Sequence, residues 1–102
     1  MQVEITVRHY EASDRVKEYA ETEVKRIEKI FDRIPSAQII LEKSKEGEHA
    51  ELTLTVLGKR LVASESSDDM LKSIDLVVDK MERQIQKLKG KRFANARTNN
   101  GW

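Results

Sequence analysis

Apolar and polar residues alternate at the start of the chain, where Val3, Ile5 and Val7 are separated by polar side chains. Successive side chains of a β-strand point to opposite faces of its sheet, so this alternation predicts a strand with one buried and one solvated face. Two further strand-like runs, 37–43 and 50–56, are separated by a polar turn that contains a glycine, which predicts a hairpin.

The hairpin is followed by a turn signal at Gly58 and by the short segment 60–64, which can pair back as a fourth strand. The middle of the chain is therefore expected to form a meander. Threonine and glutamate fill alternate positions of its central strand, so one face of the sheet should be solvated.

A first helix is predicted over 14–31, where apolar residues recur at three- and four-residue steps. Ser13 stands immediately before this segment, and a serine hydroxyl can accept a hydrogen bond from the free amides of a helix N-terminus. Pro35 prevents the helix from continuing, because proline has no amide donor and disfavours a helical residue before it.

A second helix is predicted after the meander, with either Ser66 and Asp69 or Ser67 alone as its N-terminal cap. Gly90 should end it, because glycine readily takes the left-handed conformation that terminates many helices. The apolar stripe of this helix consists of Leu71, Ile74, Val77, Val78, Met81, Ile85 and Leu88.

The element order β-α-β-β-β-α indicates an α+β domain of two layers, a four-stranded sheet with two helices on one face. A chain of 102 residues is long enough for one such core and too short for two independent domains. We expect the domain to cover 1–92. The asparagine-rich segment 93–102 shows no periodicity and should form a flexible C-terminal tail.

The residue types present exclude several classes of function. Cysteine is absent, which removes disulfides and thiolate chemistry and favours a cytoplasmic location. No apolar run reaches the roughly 18 residues of a membrane-spanning helix, so no membrane partner is expected. His9 and His49 lack metal-ligand spacing, and the glycines form no phosphate-binding loop. We therefore expect no enzyme, metal, cofactor or small-molecule substrate.

Charge is unevenly distributed, although the formal net charge of the chain is only +1. Residues 80–102 contain seven Lys/Arg and the single acid Glu82, a net charge of +6, and residues 1–79 contain twelve bases and seventeen acids, a net charge of −5. This asymmetry suggests a polyanionic partner. A solvated helix end followed by a disordered basic tail is the alternative explanation.

Basic residues recur along both predicted helices at three- and four-residue steps. The second-helix ridge consists of Lys80, Arg83, Gln84, Lys87 and Lys91, and the first-helix ridge of Lys25, Arg26 and Lys29. If the helices lie side by side and parallel, the two ridges should flank a shared groove about 10 Å wide that suits a phosphate backbone. No aromatic residue falls within a predicted strand, so backbone and shape recognition of RNA is favoured over base stacking. A module that binds an acidic protein or an anionic membrane would need the charge but not the groove.

Several stretches of the chain carry a resemblance to a known family. They are F-D-R-I at 31–34, Met70, Ile74-Asp75, and D-K-x-x-R-Q-I-x-K across 79–87. Together with the element order, they make residues 1–92 resemble the bacterial ribosome hibernation promoting factors and ribosome-associated inhibitor A. The chain is similar in length to the short members of this family.

The resemblance implies a fold similar to double-stranded-RNA-binding domains and binding to 16S rRNA of the small ribosomal subunit, in 30S, 70S or 100S particles. It implies occupancy of the mRNA and tRNA channel, inhibition of translation under stress or in stationary phase, and a monomer off the ribosome. The RNA-contacting positions of the family correspond to Lys80, Arg83, Lys87 and Lys91, and also to Lys25, Arg26 and Lys29. Whether such a protein promotes 100S dimers, and to which branch it belongs, stays open at this point.

Overall fold

Four strands and two main helices make up the computed structural model, which describes the backbone of residues 1–97 and the side chains of residues 1–90. The elements are β1 (Gln2–Arg8), α1 (Asp14–Lys25), a 3₁₀ helix (Arg26–Lys29), β2 (Ser36–Ser44), β3 (Gly47–Val56), β4 (Lys59–Ser67) and α2 (Met70–Arg97). This order confirms the predicted β-α-β-β-β-α fold.

The strands form one mixed sheet in the order β1-β2-β3-β4. β1 pairs with β2 in parallel, with Ile5 opposite Ile39, and the other two pairs are antiparallel. A parallel pair needs a crossover between its strands, and α1 with the 3₁₀ helix supplies it. β4 is left as one edge of the sheet, beside α2.

Both helices cover the same face of the sheet and enclose a single hydrophobic core. Alternation places every second side chain of β2 and β3 in that core, and Ile39 and Leu52, which face each other across the ladder, are fully buried. Burial of one such side chain contributes about 1.5–3 kcal/mol. The helix residues that complete the core without exposed surface are Ala20, Val24, Ile27, Ile74, Val77, Met81 and Ile85.

The first helix begins where the sequence predicts, because the Val16 amide donates to Ser13 Oγ at 3.2 Å. Its α-helical part ends at Lys25, earlier than the predicted residue 31, and the last turn tightens into the 3₁₀ helix. The carbonyl of Ile27 accepts from the amides of both Ile30 and Phe31, an arrangement common at helix ends.

The second helix differs from the prediction at both ends. It begins at Met70, and Ser67 Oγ accepts from the Asp69 amide at 3.2 Å. Ser67 therefore stabilises the connection from β4 and does not cap the helix directly.

At the other end the helix passes through Gly90 and reaches Arg97. Gly90 does not take a positive φ, the conformation in which a glycine commonly ends a helix. The expected end at Gly90 is therefore wrong. Residues 93–97 of the predicted tail continue α2, and 98–102 lie outside the described residues.

Candidate nucleic-acid interface

The second-helix ridge lies along the free edge of β4. Gln84 Nε2 donates to the Val62 carbonyl at 3.0 Å, and one turn earlier Lys80 Nζ donates to the Ser64 carbonyl at 3.3 Å. Four residues of helix advance about 6 Å and two residues of an antiparallel strand about 6.8 Å, so helix and edge stay in register. Two members of the ridge thus satisfy edge carbonyls, a structural role that the sequence did not predict.

Three cations of this ridge are exposed to solvent. The Lys80 side chain is 47% exposed and lies 3.4 Å from the Glu65 carboxylate. The Arg83 side chain is 76% exposed and lies 3.3 Å from Asp79 on the preceding turn. Lys87 is exposed, and no carboxylate of the described side chains lies within 4.0 Å of it. The side chain of Lys91, the remaining predicted cation, lies outside the described residues.

Two of the three cations of the first-helix ridge form ion pairs with carboxylates of their own helix. Lys25 Nζ lies 2.9 Å from the Glu21 carboxylate, and the Arg26 guanidinium lies 2.6 Å from that of Glu23. The hydrogen bond to Glu23 raises the pKa of Arg26 above its ordinary value. Lys29, at the end of the 3₁₀ helix, is exposed and has no such partner among the described side chains.

The groove between α1 and α2 is acidic, so the expectation that the two ridges flank it is wrong. Its lining residues are Tyr19, Glu23, Arg26, Asp75, Leu76, Val78, Asp79 and Glu82. The groove is acidic because of the way α2 is rotated about its own axis. The buried apolar stripe of α2 must face the sheet, and this requirement determines which residues face α1. Residues one position after that stripe, such as Asp75 and Glu82, face α1, and those one position before it, Lys80 and Gln84, face β4.

A hydrogen bond across this groove joins the two helices. Tyr19 Oη donates to Asp75 Oδ1 at 2.5 Å. This bond, with smaller effects of burial and of nearby carboxylates, raises the pKa of Tyr19 to about 12. The phenol therefore keeps its proton, and with it the donor, to a higher pH than an ordinary tyrosine does. Local periodicity does not indicate this pair, because its members are 56 positions apart.

A second anchor fixes the C-terminal half of α2. Lys89 Nζ donates to the Ile30 carbonyl at 2.8 Å, where the 3₁₀ helix ends. A cation at a helix C-terminus satisfies a free carbonyl and interacts favourably with the helix dipole. Lys89 thus links α2 to the end of the first helical segment, and the exposed cations of the second-helix ridge lie on a helix anchored at this point.

The described residues offer little for other kinds of site. No group of three or more His, Cys, Asp or Glu among them could hold a metal ion. Within the same residues, no helix is long and apolar enough to cross a membrane. His49 Nε2 lies 2.7 Å from Ser44 Oγ within the β2–β3 hairpin and has a local structural role.

The fold and the surface define a class of protein: a small α+β domain that carries a row of exposed cations along one helix. Residues 3–92 match the family described as "Sigma 54 modulation protein / S30EA ribosomal protein", and the chain belongs to this family. That description is of a ribosome-associated factor and not of an enzyme class. The family resemblance seen in the sequence is confirmed.

Individual relatives agree with the family assignment. The chain is 39% identical over 93 residues to a ribosome hibernation promoting factor of Azotobacter vinelandii, an alignment that covers 91% of this chain and 87% of that protein. It is 33% identical to the ribosome hibernation promoting factor of Escherichia coli over 91 residues, which cover 89% of this chain and 96% of the other.

Two solved structures share the fold. A ribosomal subunit interface protein from Coxiella burnetii superimposes with a TM-score of 0.82 at 29% identity, over 88% of this chain and 99% of the other. The N-terminal domain of Thermus thermophilus Protein Y superimposes with a TM-score of 0.76 at 22% identity, over 86% and 99% of the two chains. The second likeness concerns the fold alone.

Proposed function

We propose that this protein is a cytoplasmic ribosome hibernation factor that binds the small ribosomal subunit and inhibits translation under stress or in stationary phase. The observation that carries the proposal is the row of exposed cations Lys80, Arg83 and Lys87 on a helix that is hydrogen-bonded to the edge of the sheet. The names of the relatives, aligned over most of the chain, support the same role.

The chemistry of the row favours RNA backbone as its ligand. Lysine and arginine bind phosphate oxygens through charge-assisted hydrogen bonds. Base stacking on the sheet is not favoured, because none of the four strands contains Phe, Tyr or Trp. We infer that the protein recognises the position and shape of folded 16S rRNA without reading its sequence.

The cations can exchange their present partners for phosphate at little cost. Lys80 and Arg83 form solvent-exposed ion pairs with Glu65 and Asp79, and such pairs contribute at most about 1 kcal/mol each. An ammonium group has three N–H donors, so Lys80 can bind a phosphate and still donate to the Ser64 carbonyl. Lys87 needs no exchange. The helix itself need not move, since Lys89 and Gln84 fix it at separate points.

Inhibition would follow from occupancy of the channel that holds mRNA and tRNA. Two ligands that exclude each other from one site weaken each other's apparent affinity reciprocally. Initiator tRNA and mRNA should therefore displace the protein, a monomer off the ribosome, from 30S subunits. A complex of the protein, mRNA and P-site tRNA on one subunit at undiminished affinity would contradict this mechanism.

A matched pair of variants tests the second-helix ridge. Arg83→Ala/Lys87→Ala should weaken cosedimentation with 30S subunits, and Arg15→Ala/Lys17→Ala, which removes the same charge from exposed positions of α1, should not. With four or five phosphate contacts, log affinity of the unaltered protein should fall with log salt with a slope on the order of −4. A salt-independent affinity, or equal loss in both variants, would refute the proposal.

A further inference from the structure

Two consecutive cations outside both ridges stand at the start of β4. Lys59 and Arg60 are exposed, and no carboxylate of the described side chains lies within 4.0 Å of either. By contrast, Lys25, Arg26 and Arg83 each have such a partner. The β3–β4 turn therefore presents two cations that form no ion pair with the described side chains.

The geometry of α2 and β4 brings this turn to the end of the second-helix ridge. α2 runs antiparallel along β4, since Lys80 meets Ser64 and Gln84 meets Val62. One more turn of helix and two more strand residues put Arg60 level with position 88, next to Lys87. The cations of the turn continue the row that the helix begins.

The two side chains lie on either side of the edge strand. Lys59 shares the strand face of buried Ala63, which is covered by the helices. Arg60 lines an open depression with Gln38 and Thr55, and the carboxylates Glu4 and Glu21 line other parts of it. A phosphate backbone that follows the second-helix ridge over the end of β4 can contact both.

The β3–β4 turn has the backbone geometry of a tight hairpin. Leu57 and Gly58 have φ values of 54° and 75°, as in a tight two-residue hairpin, and Val56 pairs with Lys59 on its two sides. Leucine rarely adopts a positive φ, and here its side chain packs against the core. A rigid turn loses less conformational entropy on binding than a mobile one.

We propose that Lys59 and Arg60 extend the second-helix ridge and contact additional phosphates of the same RNA, an inference that rests on the proposed function. An RNA partner fits better than an acidic protein because the cations follow the ridge in one row, as successive phosphates of a backbone would require. The β2–β3 turn at the opposite end of the sheet also carries lysines, but Glu46, Glu48 and Asp69 accompany them there.

The test compares the two turns. Lys59→Ala/Arg60→Ala removes two positive charges from the proposed surface, and Lys43→Ala/Lys45→Ala removes two from exposed positions of the opposite turn. Affinity for 30S subunits is measured at several salt concentrations. The first variant should bind about tenfold more weakly, with a log–log slope shallower by about 1–2, and the second should bind nearly as the unaltered protein does.

Each remaining outcome is decisive. If the unaltered protein binds with a steep salt dependence and both variants match it, this inference is overturned and the proposed function stands. If the unaltered protein does not bind, the proposed function itself fails. Loss of affinity without a change of slope would indicate a partner other than phosphate and also overturn the inference. Lys59→Arg/Arg60→Lys should bind normally, and a weakness there would show that lost charge is not the cause.

Discussion

Replacing Gln84 with alanine should destabilise the fold, although Gln84 belongs to the second-helix ridge. Its hydrogen bond to the Val62 carbonyl is 3.0 Å long and lies at an exposed edge, where such a bond contributes about 0.5–1.5 kcal/mol. Alanine recovers a few tenths of a kcal/mol, roughly, through its higher helix propensity. The net loss should be about 0.5–1 kcal/mol, which lowers Tm by roughly 2–8 °C in a domain of this size.

Gln86→Ala is the matched control for this measurement. Gln86 is exposed on the same helix, and no side-chain hydrogen bond of Gln86 is found among the described residues. The same change of residue type should leave its Tm unchanged or slightly raised. Thermal and urea denaturation of both variants isolates the edge bond, because the propensity term cancels. Equal changes in the two variants would refute a structural role for Gln84.

Two further substitutions test the core and the contact between the helices. Met81→Ala should cost about 2–5 kcal/mol in urea denaturation because Met81 is fully buried, whereas Arg83→Ala should stay within about 0.5 kcal/mol; comparable losses would contradict the assigned faces of α2. The pKa of Tyr19 is raised from 10.0 to about 12, so the stabilisation from its bond to Asp75 is present below pH 10 and lost as pH rises towards 12. Tyr19→Phe should be less stable than the unaltered protein at neutral pH, and the difference in Tm should shrink across that range; a constant difference would contradict the account.

The sequence predicted the elements and the core well because burial on a strand or a helix follows a local period. Val3 and Ile5 pack against the core from β1, and the stripe of Ile74, Met81 and Ile85 is fully buried, at the positions that the two- and four-residue spacings indicate. Local periodicity does not depend on how the elements pack together, so these predictions agree with the structure.

The placement of the ridges could not be predicted in the same way. Helical spacing shows that Lys80 and Gln84 lie beside the buried stripe. It does not show which element of the fold, α1 or the edge of the sheet, packs against that side of α2. The strand order decides it: α2 packs over β3 and β4, so one flank meets the edge of the sheet and the other meets α1. The end of α2 was likewise missed, because a glycine such as Gly90 can continue a helix as well as end it.

The acidic groove between the helices restricts how a polyanion can approach this domain. Glu23, Asp75, Asp79 and Glu82 repel phosphate on the side of α1, while the cations over β4 attract it. Because one flank of α2 attracts a polyanion and the other repels it, the electrostatic field orients the two molecules as they approach. Encounters in a reversed or sideways orientation are therefore unfavourable. On the proposed function, a protein that reads no base would still dock in one orientation, because its own carboxylates disfavour the alternatives.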